Sequence, residues 1–494
     1  MGGPRPTGWL LVGLAVVVSM GGCASNATPS PSASIATPTP TSNPAVAATA
    51  NVSGTSTPTL SAPSTATPYA GPTETLQAPK PNGKDDTANI QKALNSCVAR
   101  GPGCTVQLQA GTYKISQLVT SNFQGTLRGV AENSTTVEAL PALPVNMPDP
   151  TVSGECVPNT TTCLWPTLIL FVDGNIEVSD LSIRITATDG RATAPWSIGG
   201  TKFTSVVDAL RFMGQRRADV SVDRVSIQGQ HDTAATSLGG FNLVNGVTYT
   251  GELPRSATPF DYFTLTGSLT VRSSSFKTMY DGVGTDGFVS SSQVTIGGSS
   301  SAGNHFDDVA AGIDLESAQA SDFEVSYNIS TASLHGMDVA PWQSAFAPSS
   351  PSRYAIHDNT FTTGADADKT AAGIFLQDNS AKPWIQANIS HNTIKTQTAG
   401  NEGVAVQAAN GATISGNTIS GTAGSDAVGL ESARYSSVTG NNVSGFKPDP
   451  RVGRAQIYLD SGTTNDNVQC STASDTVLDR GTGNSISGCN QQAP

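Results

Sequence analysis

Four short segments share one cadence: "AAGIDLESAQ" from Ala310, "LHGMDVAP" from Leu334, "AAGIFLQD" from Ala371 and "NEGVAVQA" from Asn401. In the first, Asp314 and Glu316 alternate with Ile313 and Leu315; in the second, Asp338 alternates with Met337 and Val339. Residues two apart on a strand share a face. If the apolar set points inward, the carboxylates gather outside. Two carboxyl groups held close divide labour, because repulsion keeps one protonated as an acid while the other stays ionised as a base. The same oxygens can instead ligate a hard cation such as Ca²⁺.

Extending the alignment gives two outward columns. One reads Arg211, Gly284, Asp314, Asp338, Phe375 and Ala405; its neighbour reads Met213, Asp286, Glu316, Ala340, Gln377 and Gln407, with Glu431 and Asp460 farther along. Stacked strands lie roughly 4.8 Å apart. Asp286, Asp314, Glu316 and Asp338 therefore form one acidic patch, with Arg211, His335 and Gln377 expected at its rim. Like charges on adjacent strands are unfavourable unless they are put to use.

The element that must position these columns is a repeating coil. Asn328, Asn359, Asn392, Asn417 and Asn442 recur at turns between alternating strands, the last two 25 residues apart. Repeats of this length with period-2 alternation imply a solenoid whose units bury their apolar faces only by stacking. Asn recurring at one turn can form a hydrogen-bonded ladder. Ahead of the repeats, "NGKDDTANIQKALNSC" reads as an Asp-capped amphipathic helix with Ile90, Ala93 and Leu94 on one face, followed by strand, Gly turn and strand in "CTVQLQAGTYKIS".

This order of helix, "GTYKIS" strand and coils resembles the start of pectate-lyase-superfamily proteins. The resemblance implies an all-β chain, a single-stranded right-handed parallel β-helix with a short N-terminal capping helix, over residues 79–494. The superfamily holds hydrolases, lyases, epimerases and adhesins, so the fold does not name the reaction. A partial resemblance to polygalacturonases adds "GTDG" with Asp286, "HFDD" with Asp307 and Asp308, and "LHGM" with His335. The interval from Asp286 to Asp307, 21 residues, suits one coil. No Asn precedes "TDG", and no Arg-x-Lys follows to grip a uronate.

Three functions fit. A glycoside hydrolase would use a protonated acid and a carboxylate base, with no cofactor required. A polysaccharide lyase would hold Ca²⁺ on the acids, with Arg211 as base or carboxylate clamp. A glycan-binding or adhesion rod would use Phe375, Trp342, Trp384 and Tyr435 as stacking surfaces. Trp342 lies in the insertion "APWQSAFAPSSPSR", of the kind that walls a groove. The leading expectation is a carbohydrate-active hydrolase with a polysaccharide or oligosaccharide partner.

The chain ends add an address. Residues 1–23 read as a lipoprotein-type export signal, in which "GWLLVGLAVVVSM" leads to "GGC" and Cys23 resembles the lipid-accepting cysteine of bacterial lipoproteins. That predicts a membrane anchor at Cys23 and a place on the cell envelope. Residues 24–78, rich in Thr, Pro, Ser and Ala, read as a disordered tether. The other six cysteines fall as Cys97–Cys104, Cys156–Cys163 and Cys470–Cys489, a disulfide pattern suited to export. A net charge of −12 excludes nucleic acid as a partner.

Overall fold

Each repeat supplies strands of only a few residues, apolar on one side, as in Ile385–Ser390, whose side chains alternate between buried and outward positions. Such a strand hides its apolar side only against other coils. The computed structural model describes residues 74–140, 167–185, 196–198, 201–203, 207–230, 244–251, 266–286, 289–290, 293–316, 318–319, 322–340, 351–364, 371–378, 385–397, 401–422, 426–447 and 455–492. In it, 30 strands join one system in which each pairs in parallel with its equivalent one coil on. The fold is a right-handed parallel β-helix, as the resemblance implied.

Three faces wind around the interior. The first holds 207–213, Val244–Gly251, 283–286, 313–316, 335–340, Ala372–Gln377, Glu402–Gln407 and Val428–Glu431. The second includes Gln293–Ile296, Asp322–Ser326, Ser352–His357 and Ile385–Ser390. The third includes 305–309, 329–332, Thr360–Thr363 and Thr393–Thr396. Ile313, Leu315, Met337, Val339, Ile374, Leu376, Val404 and Val406 are fully buried, so the apolar set does point inward. Rings stack inside as well, Phe276 on Phe306 at 4.9 Å and Phe323 on Tyr354 at 4.5 Å between centroids.

The corner between the second and third faces is held by amides. Asn304, Asn328, Asn359, Asn392, Asn417 and Asn441 are buried, and each Nδ2 donates to the Oδ1 of the next at 2.9–3.0 Å. The same oxygens accept backbone N–H groups, so both ends of every amide are used. The last rung is Asn441, one residue before the Asn442 expected from the sequence; the residue preceding it, Gly440, takes a left-handed φ of 64° that turns the chain into the ladder. At the opposite corner the glycine of the "GIxL" cadence stacks on itself. A Cβ on Gly336 would lie 2.6 Å from the Gly373 carbonyl oxygen and 2.6 Å from the Phe361 ring.

The capping helix Thr87–Arg100 buries Ile90, Leu94 and Cys97, with Ala93 packed beside them. Its expected Asp cap is displaced. The Asp86 carboxylate accepts from the Asn82 backbone instead, and Asp85 Oδ1 receives the Thr87 N–H at 2.9 Å. Disulfides join Cys97 to Cys104 and Cys470 to Cys489. Such bonds belong to an oxidising compartment outside the cytoplasm. Cys23, the 24–73 part of the tether, Cys156, Cys163, Trp342 and Trp384 lie outside the described residues.

Gly336→Ala forces backbone and ring apart in a packed corner, which should destabilise the fold by about 1–3 kcal/mol. Chemical unfolding of wild type and variant checks it; an unchanged midpoint would show that the corner has slack.

Candidate active site

The carboxylates owe their position to the register of the first face. Its outward column runs Leu170, Arg211, Thr248, Gly284, Asp314, Asp338, Phe375, Ala405, Gly429, Tyr458 and Leu478, each paired with the next across one coil. Asp314 and Asp338 are therefore immediate neighbours, roughly 4.8 Å apart along the stack. A second column, three residues earlier in each coil, reads Asp281, Ala311, His335, Ala372 and Glu402.

Asp338 carries the unusual electrostatics. Burial pushes its carboxyl well above the ordinary carboxylate range, the Asp314 charge pushes the same way, and the Val339 N–H opposes them. Its Oδ1 is buried without a hydrogen-bond partner among the described residues. A like charge in the adjacent coil is the arrangement that favours the protonated form of one carboxyl of a pair.

His335 closes the other side. Its Nδ1 accepts the Ala372 N–H at 3.2 Å, and its ring stacks on Phe375 at 5.2 Å with 18° between planes. An accepting Nδ1 places the proton of the neutral ring on Nε2. The two rings make one flat, partly exposed platform beside Asp338.

Other expected residues fall elsewhere. Arg211 is not at the rim: it is 2% exposed and ion-paired with Asp208, which also accepts from Asn245 and Thr248 at 3.1 and 3.0 Å. The coil Val244–Gly251, absent from the sequence alignment, separates Arg211 from Gly284, so the arginine stands three coils from Asp314. Gln377 is 7% exposed and donates to Gln407 Oε1 at 3.1 Å; Gln407 donates to Glu431 at 2.8 Å. Asp307 and Asp308 are exposed on the third face or its corner, Asp307 paired with Lys277 at 3.0 Å and Asp308 accepting from Thr278 at 3.0 Å. The turn through Asp308, at φ 57°, separates them from the acids of the first face. Tyr435 is 64% exposed at another turn. The strands place the backbones of Asp286 and Glu316 at the expected positions of the neighbouring column; their side chains lie outside the described residues.

Glu402 was not singled out from the sequence. It occupies the place of His335, just before the corner glycine, and its Oε2 lies 3.0 Å from where a Cβ on Gly429 would stand. The match between "LHGMDV" and "NEGVAV" was the available signal.

Comparison with known proteins leaves the reaction open. The family model described as periplasmic copper-binding protein (NosD) matches residues 266–490, less than half of the chain. Among solved structures, the chain is similar to the A-module of Azotobacter vinelandii mannuronan C-5 epimerase AlgE6 (15% identity, 84% of this chain and 98% of that one, TM-score 0.36). It is also similar to the Yersinia enterocolitica family 28 exopolygalacturonase (12% identity, 85% and 77%, TM-score 0.37) and to the Dettilon tailspike protein (13%, 84% and 68%, TM-score 0.43). No curated protein matches this sequence. Copper prefers imidazole and sulfur donors. Among the described residues no three His, Cys, Asp or Glu side chains converge as ligands, and Cys470 and Cys489 are bonded to each other. The described residues do not fit a copper centre.

The raised acid makes a stability prediction. Its folded-state pKa lies above that of the unfolded chain, so the stability of the protonated form is present at low pH and lost as pH rises through the folded value. Asp338→Asn should therefore melt like wild type near pH 4 and at least about 2 °C higher at pH 8. Melting curves across that range test it; a variant less stable at pH 8 than wild type would refute the raised, repelled acid.

Proposed function

We propose that this exported chain is a glycoside hydrolase acting on a polysaccharide, with Asp338 as general acid and Asp314 as its carboxylate partner. The observation that carries the reading is the in-register pair of Asp314 and Asp338, in which burial and the neighbouring charge push the Asp338 carboxyl up. Asp338 gives its proton to the glycosidic oxygen as the bond from that oxygen to the anomeric carbon breaks. Asp314 bonds to the anomeric carbon in place of the departing oxygen, and water, giving a proton to the now ionised Asp338, then displaces Asp314, so one water is consumed for each linkage cut. The His335–Phe375 platform offers a flat surface for a sugar ring beside the acid. Nothing in this scheme needs Ca²⁺.

Activity should fall on both limbs of the pH profile: as Asp314 gains its proton at low pH, and as Asp338 loses its proton at high pH. Incubation with a panel of polysaccharides, followed by reducing-end and mass analysis, tests the reading. Wild type should release saturated, reducing products in the presence of EDTA. Asp338→Asn and Asp314→Asn should each lower turnover by about 10²–10⁴-fold without loss of folding. Ultraviolet-absorbing unsaturated products, EDTA-sensitive turnover, or an active Asp338→Asn variant would overturn it.

A further inference from the structure

We infer that the polymer bound here is an uncharged glycan, laid along the helix axis from Asp338 across Phe375 toward Tyr458. This names the substrate class of the hydrolase site and rests on that reading. Past Asp338 the outward column continues as Phe375, Ala405, Gly429 and Tyr458, one residue per coil. Two partly exposed aromatic residues thus bracket a floor of buried small ones. A pyranose ring stacks on the first aromatic, the small residues let the chain lie close to the sheet, and Tyr458 receives it farther on.

Between Phe375 and Tyr458 the path is flanked by amides and carboxylates. Gln377 and Gln407 form a neutral amide row ending on Glu431, and the Glu402 carboxylate lies over Gly429. Carboxylates and amides accept hydrogen bonds from sugar hydroxyls, and those to a carboxylate are the stronger. A uronate at the same place would set like charge against Glu402 and Glu431.

A polyuronate would also need a guanidinium or ammonium group to grip its carboxylates. Among the described residues that pair in this face, Arg211 is the sole Arg or Lys, and it is buried against Asp208. Arg480, directly after Asp479, sits over the Tyr458 ring at 5.9 Å, three coils beyond Phe375. Over the stretch next to the acid pair, the described residues of the face therefore offer a negative polymer no cation.

The test is calorimetric binding to the full-length Asp338→Asn protein, in EDTA, of neutral hexasaccharides of β-1,4-linked glucose, xylose, mannose and galactose. Hexagalacturonate and hexamannuronate serve as the charged probes. At least one neutral oligomer should bind, and both uronates at least tenfold more weakly. Adding Phe375→Ala, or Tyr458→Ala should the first fail to fold, should weaken the neutral ligand at least tenfold. Glu402→Gln should weaken the neutral ligand while strengthening the uronates, opposite movements that a merely structural role would not produce. Uronates binding tighter than every neutral oligomer, no neutral oligomer binding, or indifference to all three substitutions would each overturn the inference. Hydrolysis of a polyuronate by wild type would sink the substrate class and spare the hydrolase. A neutral oligomer bound but never cleaved by wild type would do the reverse.

Discussion

Each coil must lie in register on the one before it, and the molecule follows from that. Parallel stacking brings residue after residue over its equivalent, so any chemical character repeated in the sequence becomes a continuous stripe. Repeated Asn becomes a ladder from Asn304 to Asn441 in which each amide satisfies its neighbours. The repeated glycine becomes a corner with no room for a methyl group, and inward Phe and Tyr become stacked pairs. A slip of one residue would turn the apolar set outward in every later coil, which is why the register is firmly fixed.

The same constraint makes an aspartate pair expensive and useful. Asp314 and Asp338 cannot move apart without breaking the stack, so the Asp314 charge, with burial, pushes the Asp338 carboxyl up. An unstrained sequence would place neutral residues there, as the later coils do with Ala405 and Gly429. The fold tolerates the pair because the Asn ladder and apolar interior hold the strands on either side of it. The chemistry proposed for the site is thus the local price of a rigid scaffold.

Much of this could be read from residues alone. Strand parity is visible wherever a coil keeps two strong inward residues, and the order Asp314, Asp338, Phe375, Ala405 emerged intact. The coil Val244–Gly251 escaped because its inward pair, Val247 and Tyr249, is unlike the Ile and Leu pairs elsewhere and long insertions flank it. That omission left Arg211 apparently closer to the acids than it is. Its burial was also hidden, because an arginine on an outward column reads as exposed until Asp208 is seen beside it. Asp307 and Asp308 looked suitable by spacing, yet spacing along a coil does not report which of three faces a residue occupies. Glu402 lay in plain view at the position of His335, but only its approach to Gly429 shows that its carboxylate crosses to the outward column.

The most direct check is the protonation state of Asp338, followed by carbon-detected nuclear magnetic resonance of its side-chain carboxyl across pH. The account requires a carboxyl still protonated well above the range of an ordinary aspartate, moving down toward that range when Asp314 is replaced by Asn. A normal titration, or one unmoved by the loss of Asp314, would contradict it.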